Sequence, residues 1–393
     1  MNAWLLAVLA VSLPAWSAQP VAFPSLDSAA QLAGHWFPVV SDAPRPAVVV
    51  LHGCGGALDD RGQLPAGTRR EAGDFNAEGL HYLVLDSFSP RGLRSICEIH
   101  ASQRTVREED RRDDVQAALR WLAAQPGVDA GRIALLGRSH GGSTVLAAMD
   151  ASNDKVAGQS VKPRAAVALY PGCGPHEREP RYRLAAPLLL LAGELDDWTP
   201  SVSCVRLRER LRFTSSGPLL SLTVFPGAHH GFDSRSPVRV RDNLPNTRAG
   251  KATVGGHPPA REAARRAVFD FLARELGVTL RFSHEARFHA HREAVPAPTG
   301  FAPADDVSRV PLRDAGRDRY RHYLSLPTPK AFAITERGGW FMASDDPDAM
   351  REVRARCAVA GVRCWFYAVD DQVVWADDPS RRATADGAPR GTK

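Results

Sequence analysis

Ser139 lies between two glycines in the segment Gly137-Arg138-Ser139-His140-Gly141, directly after an apolar run and directly before a helical pattern. A serine at such a sharp turn from a strand into a helix can be the nucleophile of a hydrolase. The glycines would be required because bulky side chains at this turn would clash with the strand or the helix. Glycine and serine are also common in ordinary turns, so the motif alone is weak evidence.

A serine hydroxyl needs a base to become nucleophilic, and the base needs a carboxylate to orient it. Asp196 and Asp197 follow the later apolar run PLLLLAGE, and His229 and His230 follow the next run, LLSLTVFPG. Because the carboxyl ends of parallel strands meet at one edge of a sheet, we expect these side chains to lie near Ser139. The chain order Ser, Asp, His is that of the α/β-hydrolases. The residues predict a catalytic triad and leave the choice within each pair open.

The glycine-rich segment LHGCGG (51–56) lies at the end of the first strong predicted strand, AVVVLHG (47–53), and resembles an oxyanion loop. Acyl transfer needs hydrogen-bond donors for the oxyanion that develops on the carbonyl. We expect these donors to be the backbone N–H groups of Cys54 and of His140, the residue after the proposed nucleophile. The Cys54 thiol is the alternative nucleophile, and it is disfavoured because Ser139 occupies the turn.

Apolar runs alternate with amphipathic segments between residues 47 and 277. Such runs are typical of buried parallel strands, and such segments are typical of the helices that cover them. The predicted class is α/β, with a mostly parallel sheet flanked by helices. Beyond residue 325, short apolar runs flank one helical pattern, which predicts a small α+β C-terminal module. Its strands are predicted at 330–335, 339–344 and 364–375, and its helix at 346–361.

The N-terminal segment MNAWLLAVLAVSLPAWSAQP has an apolar stretch followed by small residues at Ala15, Ser17 and Ala18. This arrangement is typical of a cleaved export signal, and the stretch is too short to span a bilayer. A buried N-terminal helix is the alternative, because no Lys or Arg precedes the apolar stretch. We expect a periplasmic or secreted protein with no stable membrane insertion.

Composition and pattern divide the chain into five predicted segments. Dense His, Arg and Pro without periodicity predict a linker, whose stretch HEARFHAHR lacks the ligand spacing of a known metal site. The segments are a signal peptide (1–18), an α/β domain (19–279), a linker (280–325), an α+β module (326–376) and a disordered tail (377–393).

The net charge is +6, but charges of both signs are interspersed, as in REEDRRDD. We interpret this balance as favouring solubility. The sequence has no basic stripe interleaved with aromatic residues, so no nucleic-acid partner is predicted.

Six motifs between residues 45 and 277 resemble those of the dienelactone hydrolase family of α/β-hydrolases. They are LHGCGG, DSFSPRG, LLGRSHGG, LYPGCG, GELDDWTP and GAHHGFD. The resemblance covers a little over half of the chain and is specific as a set. It implies an α/β-hydrolase fold with Ser139 as the nucleophile. The enzyme that names the family uses cysteine, and a serine at this position suits ordinary esters.

The resemblance also implies a choice within each candidate pair. The family pattern G-x-x-D-x-x-x-P falls on Gly193, Asp196 and Pro200. Its pattern H-G-F begins at His230. The resemblance therefore favours Asp196 over Asp197 and His230 over His229.

Six cysteines in a chain that is expected to be exported permit three disulfides. Pairing within loops that follow neighbouring strands, and within the C-terminal module, is the arrangement that the predicted topology suggests. A cross-link at Cys54 would hold the oxyanion loop in place. The suggested pairs are Cys54–Cys97, Cys173–Cys204 and Cys357–Cys364.

Arg91, in the motif SPRG, follows the predicted strand HYLVLDSF (81–88) and lies beside the expected pocket. Its guanidinium could bind a carboxylate of the substrate. The alternative is a loop arginine that bonds backbone carbonyls or an acidic neighbour.

These features predict an exported serine hydrolase that cleaves a small-molecule carboxylic ester or lactone through an acyl-enzyme. The mechanism requires no metal and no organic cofactor. One alternative is an oligopeptidase-like serine peptidase, which would usually carry a large gating domain. The other is a degenerate hydrolase that acts as an envelope binding protein. The partner of the C-terminal module is not identified by the sequence.

Overall fold

The structure is a computed structural model that describes residues 18–28, 30–280, 294–326, 328–344 and 349–375. The chain separates into two compact units at the boundary between Arg281 and Phe282. The predicted signal peptide, apart from its last residue, and the predicted tail lie outside the described residues.

The first unit is built on one eight-stranded sheet. Its strands are β1 (Gln19–Pro24), β2 (Gln31–Phe37), β3 (Arg45–Leu51), β4 (His81–Asp86), β5 (Val128–Arg138), β6 (Ala165–Leu169), β7 (Leu188–Gly193) and β8 (Leu220–Phe225). Their order across the sheet is β1-β2-β4-β3-β5-β6-β7-β8. Strands β3 to β8 are parallel, and β1 and β2 extend one edge in antiparallel fashion. The predicted mostly parallel sheet is confirmed.

Helices connect these strands and cover both faces of the sheet. They are α1 (Ala66–Ala77), α2 (Glu108–Ala123), α3 (His140–Ala148), α4 (Asp154–Ala157), α5 (Gly174–Arg178), α6 (Ser201–Leu211) and α7 (Pro258–Leu276). Helices α2, α3 and α6 contribute to one large core, into which α2 buries Val115, Leu119 and Leu122. On the other face, α1 and α7 meet through the stacked rings of Phe75 and Phe269, 4.8 Å apart. This layering places the loops after β3, β5, β7 and β8 at a single edge of the sheet.

A short antiparallel ribbon follows β8 and packs beside the loop that carries His230. Its strands are β9 (Arg239–Arg241) and β10 (Ala252–Val254). The backbone of His230 forms a parallel bridge to Val254. The ribbon therefore supports the loop at the carboxyl end of β8.

The second unit has a four-stranded antiparallel sheet with one helix on each face. Its elements are α8 (Asp314–Leu324), β11 (Lys330–Thr335), β12 (Trp340–Ser344), α9 (Ala349–Val359), β13 (Cys364–Val369) and β14 (Gln372–Val373). The strand order is β12-β11-β13-β14. Val353 of α9 packs in the core on one face, and Tyr320 and Tyr323 of α8 pack in the core on the other. The predicted small α+β module is confirmed.

The prediction of a linker over 280–325 is wrong for residues 307–325. They form a 3₁₀ turn, Val307–Arg309, and the helix α8. Three apolar side chains of this stretch, Val310, Tyr320 and Tyr323, are fully buried against the second sheet. Residues 281–293 of the predicted linker lie outside the described part of the chain.

Three disulfides join all six cysteines of the chain: Cys54 to Cys97, Cys173 to Cys204, and Cys357 to Cys364. Two of them lie in the first unit, at the edge where the loops follow the strands. Within the described ranges, no helix is both long enough and apolar enough to cross a membrane.

Candidate active site

Ser139 lies at the tip of the turn between β5 and α3, with a backbone φ of 53° and ψ of −121°. A positive φ is strained for a residue with a side chain, and strain of this kind, about 1–3 kcal/mol, is common at functional sites. The turn is held by a hydrogen bond of 2.9 Å from the Ser139 amide to the carbonyl of Leu169. Its tightness explains the flanking glycines. A Cβ on Gly137 would lie 2.2 Å from the carbonyl oxygen of Gly141, and one on Gly141 would lie 2.2 Å from that of Leu51.

Ser139, His230 and Asp196 form one continuous hydrogen-bonded chain. The Ser139 hydroxyl is 3.0 Å from Nε2 of His230, and Nδ1 of His230 is 2.9 Å from Oδ2 of Asp196. His230 and Asp196 are buried, at 5% and 4% exposure, whereas Ser139 is partly exposed. A proton on Nδ1 is donated to Asp196, so Nε2 is left free to accept the proton of the serine hydroxyl.

The other member of each candidate pair is directed elsewhere. Asp197 accepts hydrogen bonds from the amide and hydroxyl of Thr253 in β10, at 2.8 and 3.2 Å. His229 places its Nδ1 3.1 Å from the carbonyl of Leu195. The structure thus brings Asp196 and His230 to Ser139 and turns Asp197 and His229 away from it.

The carboxylate of Asp196 is fixed by its own turn. Its Oδ1 accepts from the amides of Trp198 and Thr199 at 2.9 and 2.8 Å. The Thr199 hydroxyl lies 3.0 Å from Oδ2 of Asp196 and 3.0 Å from Nδ1 of His230. The Trp198 ring packs on the His230 ring with a centroid distance of 4.7 Å. These contacts limit the orientations that the imidazole can adopt.

The expected oxyanion loop approaches the serine closely. A Cβ on Gly53 would lie 3.5 Å from the Cβ of Ser139, so the backbone leading to Cys54 passes directly beside the proposed nucleophile. Cys54 is held by its disulfide to Cys97 and by a 2.8 Å hydrogen bond from the Ile96 amide to its carbonyl. His140 is the first residue of α3, where backbone N–H groups have no partner within the helix. Both segments that carry the expected oxyanion amides therefore lie next to Ser139.

A network of charged and aromatic side chains lies next to the triad and was not anticipated. Arg138 pairs with Asp233 at 2.5 Å and with Glu71 at 2.6 Å. The Tyr170 hydroxyl donates to Asp233 at 2.6 Å, and its ring meets the edge of the His230 ring. The network connects the strand before the serine to the loop after the histidine.

Arg91 is engaged within the protein. Its two terminal nitrogens each donate to one oxygen of Asp114 at 2.8 Å, and Nη1 also donates to the carbonyl of Ser87 at 2.7 Å. This is the alternative that the sequence left open, an arginine held by an acidic neighbour and a backbone carbonyl. Three of its five N–H donors thus bond within the protein, which favours this alternative over the predicted substrate contact.

A second titratable pair, Glu108 and His176, lies beside Ser143, which follows Ser139 by one helical turn in α3. Oε2 of Glu108 is 3.8 Å from Nε2 of His176. Burial is the main cause that raises the pKa of Glu108 to about 7, and the neighbouring Glu109 adds to it. Burial also lowers the pKa of His176 to about 4. Near neutral pH His176 is therefore neutral, whereas the Glu108 carboxyl is in the middle of its titration.

Among the described residues, no group of three or more His, Cys, Asp or Glu side chains has the arrangement of a metal site. The chemistry available at this edge is that of a hydroxyl, an imidazole, a carboxylate and backbone amides. Such a set can transfer an acyl group to the serine and then to water.

Comparison with known proteins identifies the family of the chain. The model of the dienelactone hydrolase family matches residues 37–276, which confirms the predicted α/β-hydrolase fold. None of the curated proteins compared with the chain matches it.

The solved structures that are similar to this chain include the following three. A proposed dienelactone hydrolase from Klebsiella pneumoniae subsp. pneumoniae MGH 78578 is 20% identical, with a TM-score of 0.48, and the match covers 65% of this chain and 98% of that one. A dienelactone hydrolase-like promiscuous phosphotriesterase from metagenomic libraries is 19% identical, with a TM-score of 0.48 and coverage of 66% and 98%. A thermophilic esterase from the Planctomycetes species Thermogutta terrifontis is 19% identical, with a TM-score of 0.47 and coverage of 68% and 95%.

Proposed function

Because the chain belongs to the dienelactone hydrolase family of carboxylic ester hydrolases, we propose that it cleaves an ester or lactone by serine catalysis. In this proposal Ser139 is the nucleophile, His230 the general base and Asp196 the orienting carboxylate. The observation that carries the proposal is the unbroken chain of hydrogen bonds, 3.0 Å from Ser139 to His230 and 2.9 Å from His230 to Asp196. The strained backbone of Ser139 at a strand-to-helix turn supports the same assignment.

The first half of the reaction forms an acyl-enzyme. Nε2 of His230 takes the proton of the Ser139 hydroxyl as Oγ attacks the carbonyl carbon of the substrate. The electron pair of the carbonyl moves to its oxygen, which the amides of Cys54 and His140 stabilise. When the tetrahedral intermediate collapses, the bond to the leaving oxygen breaks, and His230 returns its proton to that oxygen. For a lactone, the alcohol remains attached to the acyl group.

The second half releases the acid. Water takes the place of the alcohol, His230 removes its proton, and the hydroxide attacks the acyl carbon. The second tetrahedral intermediate expels Ser139, which regains a proton from His230. Throughout both halves, Asp196 holds the imidazole in one tautomer and stabilises the imidazolium.

The site of action in this proposal is an oxidising compartment, the periplasm or the exterior. Disulfides persist in such compartments and are rare where thiols are kept reduced. All six cysteines of the chain are paired in the structure, which supports export. The sulfur of Cys54 is bonded to that of Cys97, so in the oxidised protein Cys54 has no thiol that could act as the alternative nucleophile.

The test compares ester turnover by the oxidised wild-type protein, Ser139→Ala and Ser216→Ala. Ser216 is a buried serine whose hydroxyl accepts a hydrogen bond from the amide of Leu184. Ser216→Ala is the control, because it makes the same chemical change in another part of the first unit. With a short-chain p-nitrophenyl ester, we expect Ser139→Ala to lose at least about 10³-fold in kcat and Ser216→Ala to keep its turnover. Equal turnover by Ser139→Ala and wild type would refute the assignment. A parallel p-nitroanilide assay separates ester from amide cleavage.

A further inference from the structure

Arg111 is a fully buried arginine on α2 that contacts both segments of the proposed oxyanion site. Its side chain has 0% exposure. Nη1 donates to Nδ1 of His140 at 2.7 Å, and Nη2 donates to the carbonyl of His52 at 2.8 Å. His140 carries one proposed oxyanion amide, and His52 lies two residues before Cys54, which carries the other. The guanidinium of Arg111 therefore links the two segments that carry the proposed oxyanion amides.

This guanidinium has no carboxylate in contact with it. Within the described part of the chain, no carboxylate oxygen lies within 4.0 Å of Arg111, and its Nε makes no hydrogen bond. The charges of Asp114, Glu108 and Asp86 act on Arg111 without direct contact, and Asp114 is itself bonded to Arg91. The Phe88 ring, 5.1 Å from Cζ, is a weaker partner. A buried charge with no carboxylate in contact is costly, so packing alone does not explain its position.

His52 and His140, the two histidines that Arg111 contacts, are neutral. The guanidinium of Arg111 therefore carries the positive charge of this cluster. Burial, and after it the charge of Arg111, lowers the pKa of His52 to about 3 and holds the pKa of His140 well below its ordinary value. The hydrogen bonds agree with this state. Nδ1 of His52 donates to the carbonyl of Gly53 at 2.8 Å, and its Nε2 accepts from the amide of Ser87 at 3.3 Å. Because Nδ1 of His140 accepts from Arg111, the His140 proton is on Nε2.

We propose that Arg111 is a positioning residue for the oxyanion site, and that its charge, which no carboxylate of the described residues contacts, stabilises the negative charge of the tetrahedral intermediate. This inference rests on the proposed function. Arg111 holds the segment of His52 and Cys54 and the first turn of α3 in fixed relation to Ser139. In a site that excludes water, a fixed positive charge stabilises an anion that develops nearby and needs no reorganisation to do so.

The inference distinguishes Arg111 from a residue that only stabilises the fold. Because the negative charge develops in the transition state and not in the bound ester, loss of Arg111 should lower kcat and leave KM nearly unchanged. Loss of folding stability alone would lower the amount of active protein and would not weaken the binding of an oxyanion analogue.

The experiment compares Arg111→Met with Arg112→Met. Arg112 is the next residue on α2, is also buried, and pairs with Asp113 away from the oxyanion segments. Each variant is assayed with a p-nitrophenyl ester and with a short-chain trifluoromethyl ketone, to whose carbonyl Ser139 adds to give an oxyanion. For Arg111→Met we expect kcat to fall about 10- to 100-fold, with KM within about twofold, and the affinity for the ketone to fall by a similar factor. Arg112→Met should keep both values.

Two further variants keep the inference falsifiable. If Arg111→Met does not fold, Arg111→Gln, which keeps hydrogen-bond donors but has no charge, replaces it with the same expectation. Arg111→Lys keeps the charge, cannot reach both acceptors as a fork, and should recover part of the lost kcat and ketone affinity. Equal kcat and ketone affinity in the Arg111 and Arg112 variants would overturn the inference while Ser139→Ala remained inactive. Full turnover by Ser139→Ala would instead remove the proposed function and this inference with it.

Discussion

Arg138 and Asp233 form an ion pair of 2.5 Å that joins the residue before the proposed nucleophile to a residue three positions after the proposed base. The two residues are 95 positions apart in the chain. Their pairing fixes the strand that ends at Ser139 against the loop that carries His230. Glu71 binds the other side of the Arg138 guanidinium, and Tyr170 donates to Asp233. The distance between serine and histidine is thus set partly by charges outside the triad.

Breaking this ion pair should reduce both stability and activity. For Asp233→Asn and Arg138→Met we expect a coupling energy of about 1–3 kcal/mol in a double-mutant cycle on the free energy of unfolding, because each charge loses a partly buried partner. We also expect kcat/KM to fall by about 5- to 20-fold as the serine–histidine geometry loosens. Urea unfolding and ester kinetics measure the two effects.

The control for this prediction is Arg265→Met. Arg265 pairs with Asp74 at 2.6 Å with similar exposure, between α7 and α1 and away from the triad. It should lower stability and leave kcat/KM unchanged for the folded fraction. An unchanged kcat/KM in Asp233→Asn would show that the pair supports the fold alone.

Replacing Asp196 should greatly reduce activity, whereas replacing its neighbour Asp197 should hardly change it. Asp196→Asn keeps the shape of the side chain but no longer favours the tautomer of His230 that accepts the serine proton. We expect kcat to fall by about 10³- to 10⁴-fold. Asp197→Asn should stay within about threefold of wild type, because Asp197 bonds Thr253 in β10. The measurement is steady-state ester hydrolysis, and a larger loss in Asp197→Asn than in Asp196→Asn would reverse the assignment.

The Glu108 carboxyl should make stability depend on pH. Burial, and then the Glu109 carboxylate, raise its pKa from 4.5 to about 7. The folded state therefore binds a proton that the unfolded state releases between these values, so this group's contribution to stability falls as the pH rises from 4.5 to about 7. Above that range the partly buried carboxylate is ionised, and its cost is fully present. Glu108→Gln mimics the protonated form and should remove the cost.

We expect the stability advantage of Glu108→Gln over wild type to grow by about 1–3 kcal/mol between pH 4.5 and about pH 8. Denaturant unfolding at the two pH values measures it. Glu179→Gln, at an exposed carboxylate paired with Arg181, should show no such growth. A constant difference for Glu108→Gln would mean that its carboxyl ionises as freely in the folded protein as in the unfolded chain.

The parts of the fold that follow from local pattern could be predicted. Strands β4 (HYLVLD) and β7 (LLLLAG) are mostly apolar, and all of their residues are buried, as expected between two layers of helices. Strands β1 and β2 were not predicted, because β1 begins and ends near prolines at the edge of the sheet and β2 only alternates in burial. Helix α8 (DAGRDRYRHYL) reads as a polar linker, because its buried surface comes mainly from Tyr320 and Tyr323.

The candidate site also contains residues that a local motif indicates and residues that depend on contacts between distant segments. The Ser139 turn carries a local signature, and the motif around Asp196 sufficed to favour it over Asp197. Arg111 belongs to the run REEDRRDD, whose mixed charges indicate a solvated surface, yet its side chain is buried behind the oxyanion segments. The Arg138–Asp233 pair depends on contacts between distant parts of the chain, and no periodicity in either segment indicates it.

Two of the disulfides separate the requirements of folding from those of catalysis. The parallel sheet is formed by apolar burial, which needs no oxidant. The loop that bears Cys54 is tied to Cys97, and the loop after β6 is tied to α6 through Cys173 and Cys204. A newly made chain in a reducing compartment would have its scaffold but not these tethers. The two loops beside the proposed site would then be less constrained until their thiols are oxidised.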